Sequence, residues 1–234
     1  MRGIPTTGRR RELTSVIGIA LAIVVLWHVP LVGWLFYPFQ LFGTFIHEIS
    51  HGLAAILTGG NFQRFVVNSD LSGVAWSAGG VRWVVSSAGY IGSAAFGGFL
   101  VLLAAWRLPA NRVLFWLGLA LGVMCLLFVR NVFGVLSGVA LAAALVLAAQ
   151  RLRSQWAEWL LLVLAVQLML DGINSLLGLV RLSASSRVVT DAAIMAQATG
   201  IPAIVWAVVW TLISLAILFA TLRLAYRATA FNAP

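Results

Sequence analysis

At 234 residues, with 62% hydrophobic and only 9% charged side chains and a mean hydropathy of +1.03, the chain lies outside the range of soluble globular domains and within that of polytopic membrane proteins. The formal net charge of +9 comes from arginine alone, and the arginines sit at the ends of apolar segments rather than in one patch. That pattern suits a lipid bilayer with anionic headgroups and argues against a nucleic-acid partner. The single cysteine, Cys125, lies in an apolar run with no second thiol to pair with, so disulfides play no part in the fold.

About 20 apolar residues cross a bilayer. Seven segments approach that length: 14–36, 39–58, 83–106, 112–129, 132–149, 156–180 and 201–222. A basic arm, 1–13, precedes the first, whose apolar run is too long for a signal peptide and lacks a small-residue cleavage site; it reads as a retained anchor. The fourth and fifth are short and joined only by Arg130-Asn131, which fits either two crossings or a tight helical hairpin. Between 59 and 80 the helical texture breaks. Strand-favouring runs at 62–67 and 74–76, separated by Asn68-Ser69-Asp70, predict a short β-hairpin near residues 61–77. No internal repeat divides the chain, so 1–234 reads as a single membrane-embedded domain, all-α and polytopic, with about six or seven transmembrane helices. Positive charge is retained on the cytoplasmic side, and nine arginines fall on the side of the N-terminus against six on the other, so the N-terminus is expected in the cytoplasm.

The segment His47-Glu48-Ile49-Ser50-His51-Gly52 puts two of the three histidines and one of the three glutamates inside a stretch otherwise fit for lipid. Residues four apart share one helix face, so the imidazoles of His47 and His51 can converge on a single metal ion. Glu48, displaced around the helix but close by, is placed as general base toward a metal-bound water. Zinc suits such a site because it accepts neutral imidazole and carboxylate and keeps one position for water. A charged group at the bilayer centre costs about 2.5–3.5 kcal/mol on insertion scales. Three ionisable groups within five positions therefore demand compensation, and a metal supplies it. The alternative is a transporter that conducts protons or metal ions through the same cluster.

A hydrolytic zinc site takes three protein ligands. Glu12, Asp70 and Glu158 read as surface or interface charges. Asp171 is different, because it lies well inside the sixth apolar segment. Counted from the cytoplasmic ends of their spans, His47, His51 and Asp171 share a depth of roughly 12 to 18 Å. Asp191 is the alternative third ligand; its surroundings read as a helix N-cap in a connecting segment, with Gly200 and Pro202 marking the next turn. Asn174, one turn beyond Asp171, is a candidate for supporting the metal ligands or stabilising an oxyanion. Gly89, Ser93 and Gly97 form a small-residue stripe for close helix approach. His28, beside Pro30, reads as an interfacial or packing residue, and the ten tryptophans as interface anchors.

The histidine-glutamate motif on one membrane helix, followed far downstream by Leu170-Asp171-Gly172 on another, resembles the site-2 protease family of intramembrane zinc metallopeptidases, in particular its small bacterial members without a PDZ domain. The resemblance covers about residues 40 to 180. It implies one zinc ion (Zn2+) per chain held by His47, His51 and Asp171, with Glu48 as catalytic base, a membrane-protein or peptide substrate, and a bacterial plasma membrane. It also implies a β-element after the first motif whose edge receives an unwound substrate. The chain departs from the family where an asparagine and prolines often precede the Leu-Asp-Gly; Ala165-Val166-Gln167-Leu168-Met169 stands there instead.

Overall fold

The computed structural model describes residue 18 and residues 30–170 and 190–231. Their order is α1 (Pro30–Leu57), β1 (Asn61–Val67), β2 (Gly73–Ala78), α2 (Arg82–Ala105), α3 (Ala110–Phe128), α4 (Val132–Arg151), α5 (Ser154–Met169), α6 (Asp191–Thr199) and α7 (Ala203–Phe231). Among the described residues four segments are both long and apolar enough to cross a membrane: α2, α3, α4 and residues Ala203–Ala225 of α7. The shorter α5 is apolar throughout. With its 28 residues α1 has the length as well, but Gln40, Thr44, His47, Glu48 and His51 make it too polar to join that set. The chain is therefore the predominantly helical polytopic protein that its composition predicts.

One boundary differs from expectation. The sequence predicts a break between residues 36 and 39, yet α1 runs unbroken through Pro38. Proline lacks the N–H that would bond the carbonyl of residue 34, a defect worth about 3 kcal/mol in a helix interior. Here the helix continues because the turns that follow are fixed by burial, with Leu41, Phe42 and Phe45 all 4% exposed or less. Most of the first expected span, with His28 and Glu12, lies outside the described residues.

Helix α2 is the centre of the bundle and packs against α1, α5 and α7. Its small residues permit this. A β-carbon on Gly97 would stand 2.8 Å from Met169 Cγ, and one on Gly98 would stand 2.6 Å from Thr221 Oγ1. Helices α3 and α4 form an antiparallel hairpin whose open end is tied by Asn111, its Nδ2 donating to the carbonyls of Ala149 at 2.8 Å and Leu152 at 3.0 Å. At 19 and 20 residues both have full crossing length, and Val129-Arg130-Asn131 links them.

The predicted hairpin is present. β1 and β2 pair antiparallel, from Asn61 opposite Ala78 to Val67 opposite Gly73, with a bulge between Phe62 and Arg64. The bulge resets the two-residue alternation, so Phe62 and Phe65, an odd number of positions apart, both point into the core. Phe62 stacks on Phe128 at 4.4 Å, and Phe65 meets the edge of Phe45 at 6.1 Å. The turn is fastened to α1, since Tyr37 Oη donates to the Ser69 carbonyl at 2.9 Å and Thr44 Oγ1 to the Leu71 carbonyl at 3.0 Å.

The two sheet edges are not equivalent. Along β1, Phe65 bridges Val129 in parallel, and Arg130 N–H donates to the Phe65 carbonyl at 3.1 Å. The Asn131 side chain accepts from Val67 N–H at 3.3 Å and donates to the Val67 carbonyl at 2.7 Å. The α3–α4 connector thus occupies that edge. Among the described residues no strand pairs with the outer edge of β2.

Candidate metal centre

The functional cluster grows from one turn of α1. His47 and His51 stand one above the other, their ring centroids 4.8 Å apart at 75°. They are pressed against α2 at Gly89. A β-carbon there would overlap His47 Nε2 and stand 2.6 Å from His51 Nε2, so only glycine admits both rings. Tyr90 meets the His47 ring edge-on at 4.4 Å and stacks on Trp210 at 5.2 Å. Trp210 Nε1 donates to Ser87 Oγ at 3.1 Å, which ties α7 into the same wall.

The third group arrives from the far end of the chain. Thr190 caps α6, its Oγ1 accepting from Ala193 N–H at 3.2 Å, so Asp191 is the first helical residue and not the cap that the sequence predicts. A carboxylate in that first turn is favoured by the helix dipole. Met195 and Ala192 anchor α6 against the buried Trp210. Asp191 Oδ2 then lies 3.1 Å from His47 Nε2 and 3.3 Å from His51 Nε2.

His51 shows what this convergence is suited to hold. Its Nδ1 lies 2.6 Å from the Val85 carbonyl oxygen, which can only accept, so Nδ1 carries the proton. In the neutral ring Nε2 is then a bare lone pair, and that lone pair faces a carboxylate oxygen. Two acceptors at such range need a cation or a proton between them. Tetrahedral ligands at about 2.0–2.1 Å from zinc lie about 3.3 Å from one another. The donor atoms of His47, His51 and Asp191, all within 4.8 Å of one another, fit such an ion in both chemistry and spacing. The Val85 carbonyl fixes the tautomer in the manner usual for a metal-ligating imidazole.

Glu48 lies beside this group at 5% exposure, under the first residue of β2. A β-carbon on Gly73 would stand 2.5 Å from Glu48 Oε1, so the strand passes directly over the carboxylate. All four side chains line a cavity of about 710 Å³, together with Thr44, Ser86 and Gln167. Gly73, Val74, Ala75 and Ser77 of β2 form one side of it.

A family model described as Peptidase M50B-like matches residues 16–221. The chain belongs to that family. Neither a curated protein nor a solved structure matches it. As an M50B-like peptidase it is an integral membrane protein of the site-2 protease group, as the two motifs predict, with His47, His51 and Asp191 able to hold a metal.

Of the residues singled out in the sequence of this M50B-like chain, His47, Glu48, His51 and Asp191 come together, the last having been the alternative third ligand. Asp171 and Asn174 lie outside the described residues. The residues that sequence reasoning passed over are Val85, which acts through its backbone and leaves no side-chain signal, and Gly73, one glycine among 22. Gly89 was visible only as part of a packing stripe. That stripe serves two partners, Gly89 facing the imidazoles and Gly97 facing α5.

Proposed function

We propose that this chain is an intramembrane zinc metalloprotease, a single membrane domain with a cytoplasmic N-terminus in a bacterial plasma membrane, that hydrolyses a peptide bond of a membrane-associated protein or peptide. The observation that carries this reading is the meeting of His47 Nε2 and His51 Nε2 on Asp191 Oδ2, with His51 Nδ1 committed to Val85. His47, His51 and Asp191 would hold the zinc, with Asp171, the third ligand that the motif resemblance implies, as the competing carboxylate.

Zinc bound there supplies Lewis acidity, polarising a carbonyl and bringing water ionisation toward neutral pH. Glu48, buried beside the metal ligands, takes the proton of the attacking water and delivers it to the departing amine. The Gly73 backbone over Glu48 keeps bulk off that path and sets the sheet against the base. A helical substrate keeps its amides bonded internally, so cleavage requires an extended segment. The outer edge of β2 is suited to receive it by strand addition, since β1 is covered by Val129, Arg130 and Asn131.

The test is Glu48→Gln in reconstituted protein with a membrane-peptide reporter. A protease loses cleavage by this change while keeping its zinc. A transporter built on the same cluster shows no cleavage in the wild type and loses ion flux in the variant, which would replace this reading.

A further inference from the structure

Among the described residues two amide side chains line the cavity that holds the candidate metal ligands, Gln40 from α1 and Gln167 from α5. Gln167 is 3% exposed, and its Oε1 has no hydrogen-bond partner among the described residues. Its neighbours on α5, Ala165, Val166, Leu168 and Met169, are buried and apolar, so nothing in the helix itself calls for a polar group there. Buried carboxamide oxygens are nearly always paired, and an orphan is costly to keep. Of the three buried side-chain oxygens without a partner among the described residues, on Ser93, Gln167 and Ser214, only that of Gln167 belongs to a residue lining the cavity.

A carboxamide presents one acceptor and one donor side by side, the complement of a backbone peptide unit. The same molecule already uses that complementarity, with Asn131 accepting from Val67 N–H and donating to the Val67 carbonyl on an extended strand. Gln167 lines the same cavity as β2 and the candidate metal ligands, so an extended segment lying in that cavity comes within reach of its side chain, and a rotation of the terminal amide presents the acceptor.

Building on the protease reading above, we propose that Gln167 is a substrate-binding residue whose Oε1 accepts a backbone N–H of the extended substrate next to the scissile bond. It fixes the register in which the chain lies across Glu48. The contact is to backbone, so it selects for unwound conformation rather than for side-chain identity.

The experiment uses the full chain in vesicles and a quenched fluorescent transmembrane peptide whose cleavage site is mapped by mass spectrometry. Each peptide N–H within three residues of the cut, the scissile one excepted, is replaced singly by an ester oxygen. Esters at N–H groups that pair with β2 are expected to cost the same in wild type and variant, and one further position to lower kcat/KM of the wild type about tenfold, on the scale of one lost hydrogen bond. In Gln167→Met the all-amide peptide loses about tenfold and that same ester costs nothing further. Zinc content stays at the wild-type level. Should Gln167→Met fail to bind zinc, Gln167→Asn, which withdraws the oxygen by one methylene, replaces it with the same expectation. Ester penalties identical in wild type and variant at every position overturn the proposal while leaving the protease reading intact. A wild type that cleaves no membrane peptide overturns both.

Discussion

Gly89 lies so close to His47 that no β-carbon fits between the α2 backbone and the imidazole Nε2. The metal cluster is therefore shaped by a residue that offers it no atom. In Gly89→Ala the added methyl group must displace the rings of both histidines from the positions in which they meet Asp191. The expected result is a loss of zinc affinity of about 10- to 100-fold, as for other contacts that orient metal ligands. A competitive chelator titration measures it. Gly122→Ala is the control, since its β-carbon meets Ala142 at an ordinary 3.4 Å and zinc binding should not change. Equal affinities in the two variants would remove Gly89 from the account.

Asp191 and Asp171 are the two candidates for the proposed third ligand position; Asp191 Oδ2 lies 3.1 and 3.3 Å from the two imidazoles, and Asp171 lies outside the described residues. Asp191→Asn should therefore lose zinc by more than the 10- to 100-fold or so that a supporting contact costs, while Asp171→Asn retains it. Zinc-to-protein ratios after dialysis against a weak chelator decide the matter. The opposite ranking hands the site to Asp171.

His51 makes a spectroscopic prediction. With Nδ1 donating to Val85 at 2.6 Å, the ring should carry its proton on Nδ1 and leave Nε2 bare. Nitrogen-15 shifts of histidine-labelled zinc protein should report one protonated δ nitrogen for this ring and a metal-shifted ε nitrogen. A protonated ε nitrogen would exclude His51 as a ligand through that atom.

What the sequence disclosed, and what it withheld, follows from the range of the interactions. The pairing of His47 with His51 depends only on helix periodicity, and the hairpin only on strand-forming runs around a turn, so both were legible. The bulge at Phe62 and Arg64 was not, because it answers to the separate demands of Phe128 and Phe45 on the two phenylalanine rings. Thr190 and Asp191 are both capping residues by type, the aspartate the better of the two. Only the docking of α6 against Trp210 decides that the threonine caps and the aspartate is released to the histidines. The continuity of α1 through Pro38 has the same character, a local defect overruled by tertiary packing.

Asp70 gives the hairpin turn a pH dependence. Its carboxylate accepts from Ser72 Oγ at 2.6 Å and from Ser72 N–H at 3.0 Å, and these bonds hold its pKa below the ordinary 3.8. A depressed carboxylate pKa contributes stability that is fully present above the ordinary value and is lost as pH falls through the lower, folded one. Protection of the Ser72 amide from hydrogen exchange, corrected for intrinsic rates, should therefore be flat above about pH 4 and decline below it. In Asp70→Asn the decline should vanish. A wild-type profile with no acid limb would show that the carboxylate does not hold the turn.

Asn131 occupies the N-cap position of α4, yet its side chain makes no capping bond. It is spent instead on Val67, a residue with no exposed surface whose N–H and carbonyl both point at the carboxamide. Replacing Asn131 by alanine strands two buried backbone groups at once, each worth about 1–3 kcal/mol when unsatisfied. Water reaching the exposed β1 edge recovers part of that, so the expected destabilisation is about 1–3 kcal/mol overall, read as a lower Tm in detergent. Zinc affinity should be unchanged, because β2 and not β1 abuts Glu48. The variant also uncovers the Val67 end of the β1 edge, while Val129 and Arg130 stay on Phe65. A substrate that docks only on β2 should then show an unchanged cleavage position, whereas a shifted or additional cut would mean that the α3–α4 connector is what enforces the choice of edge.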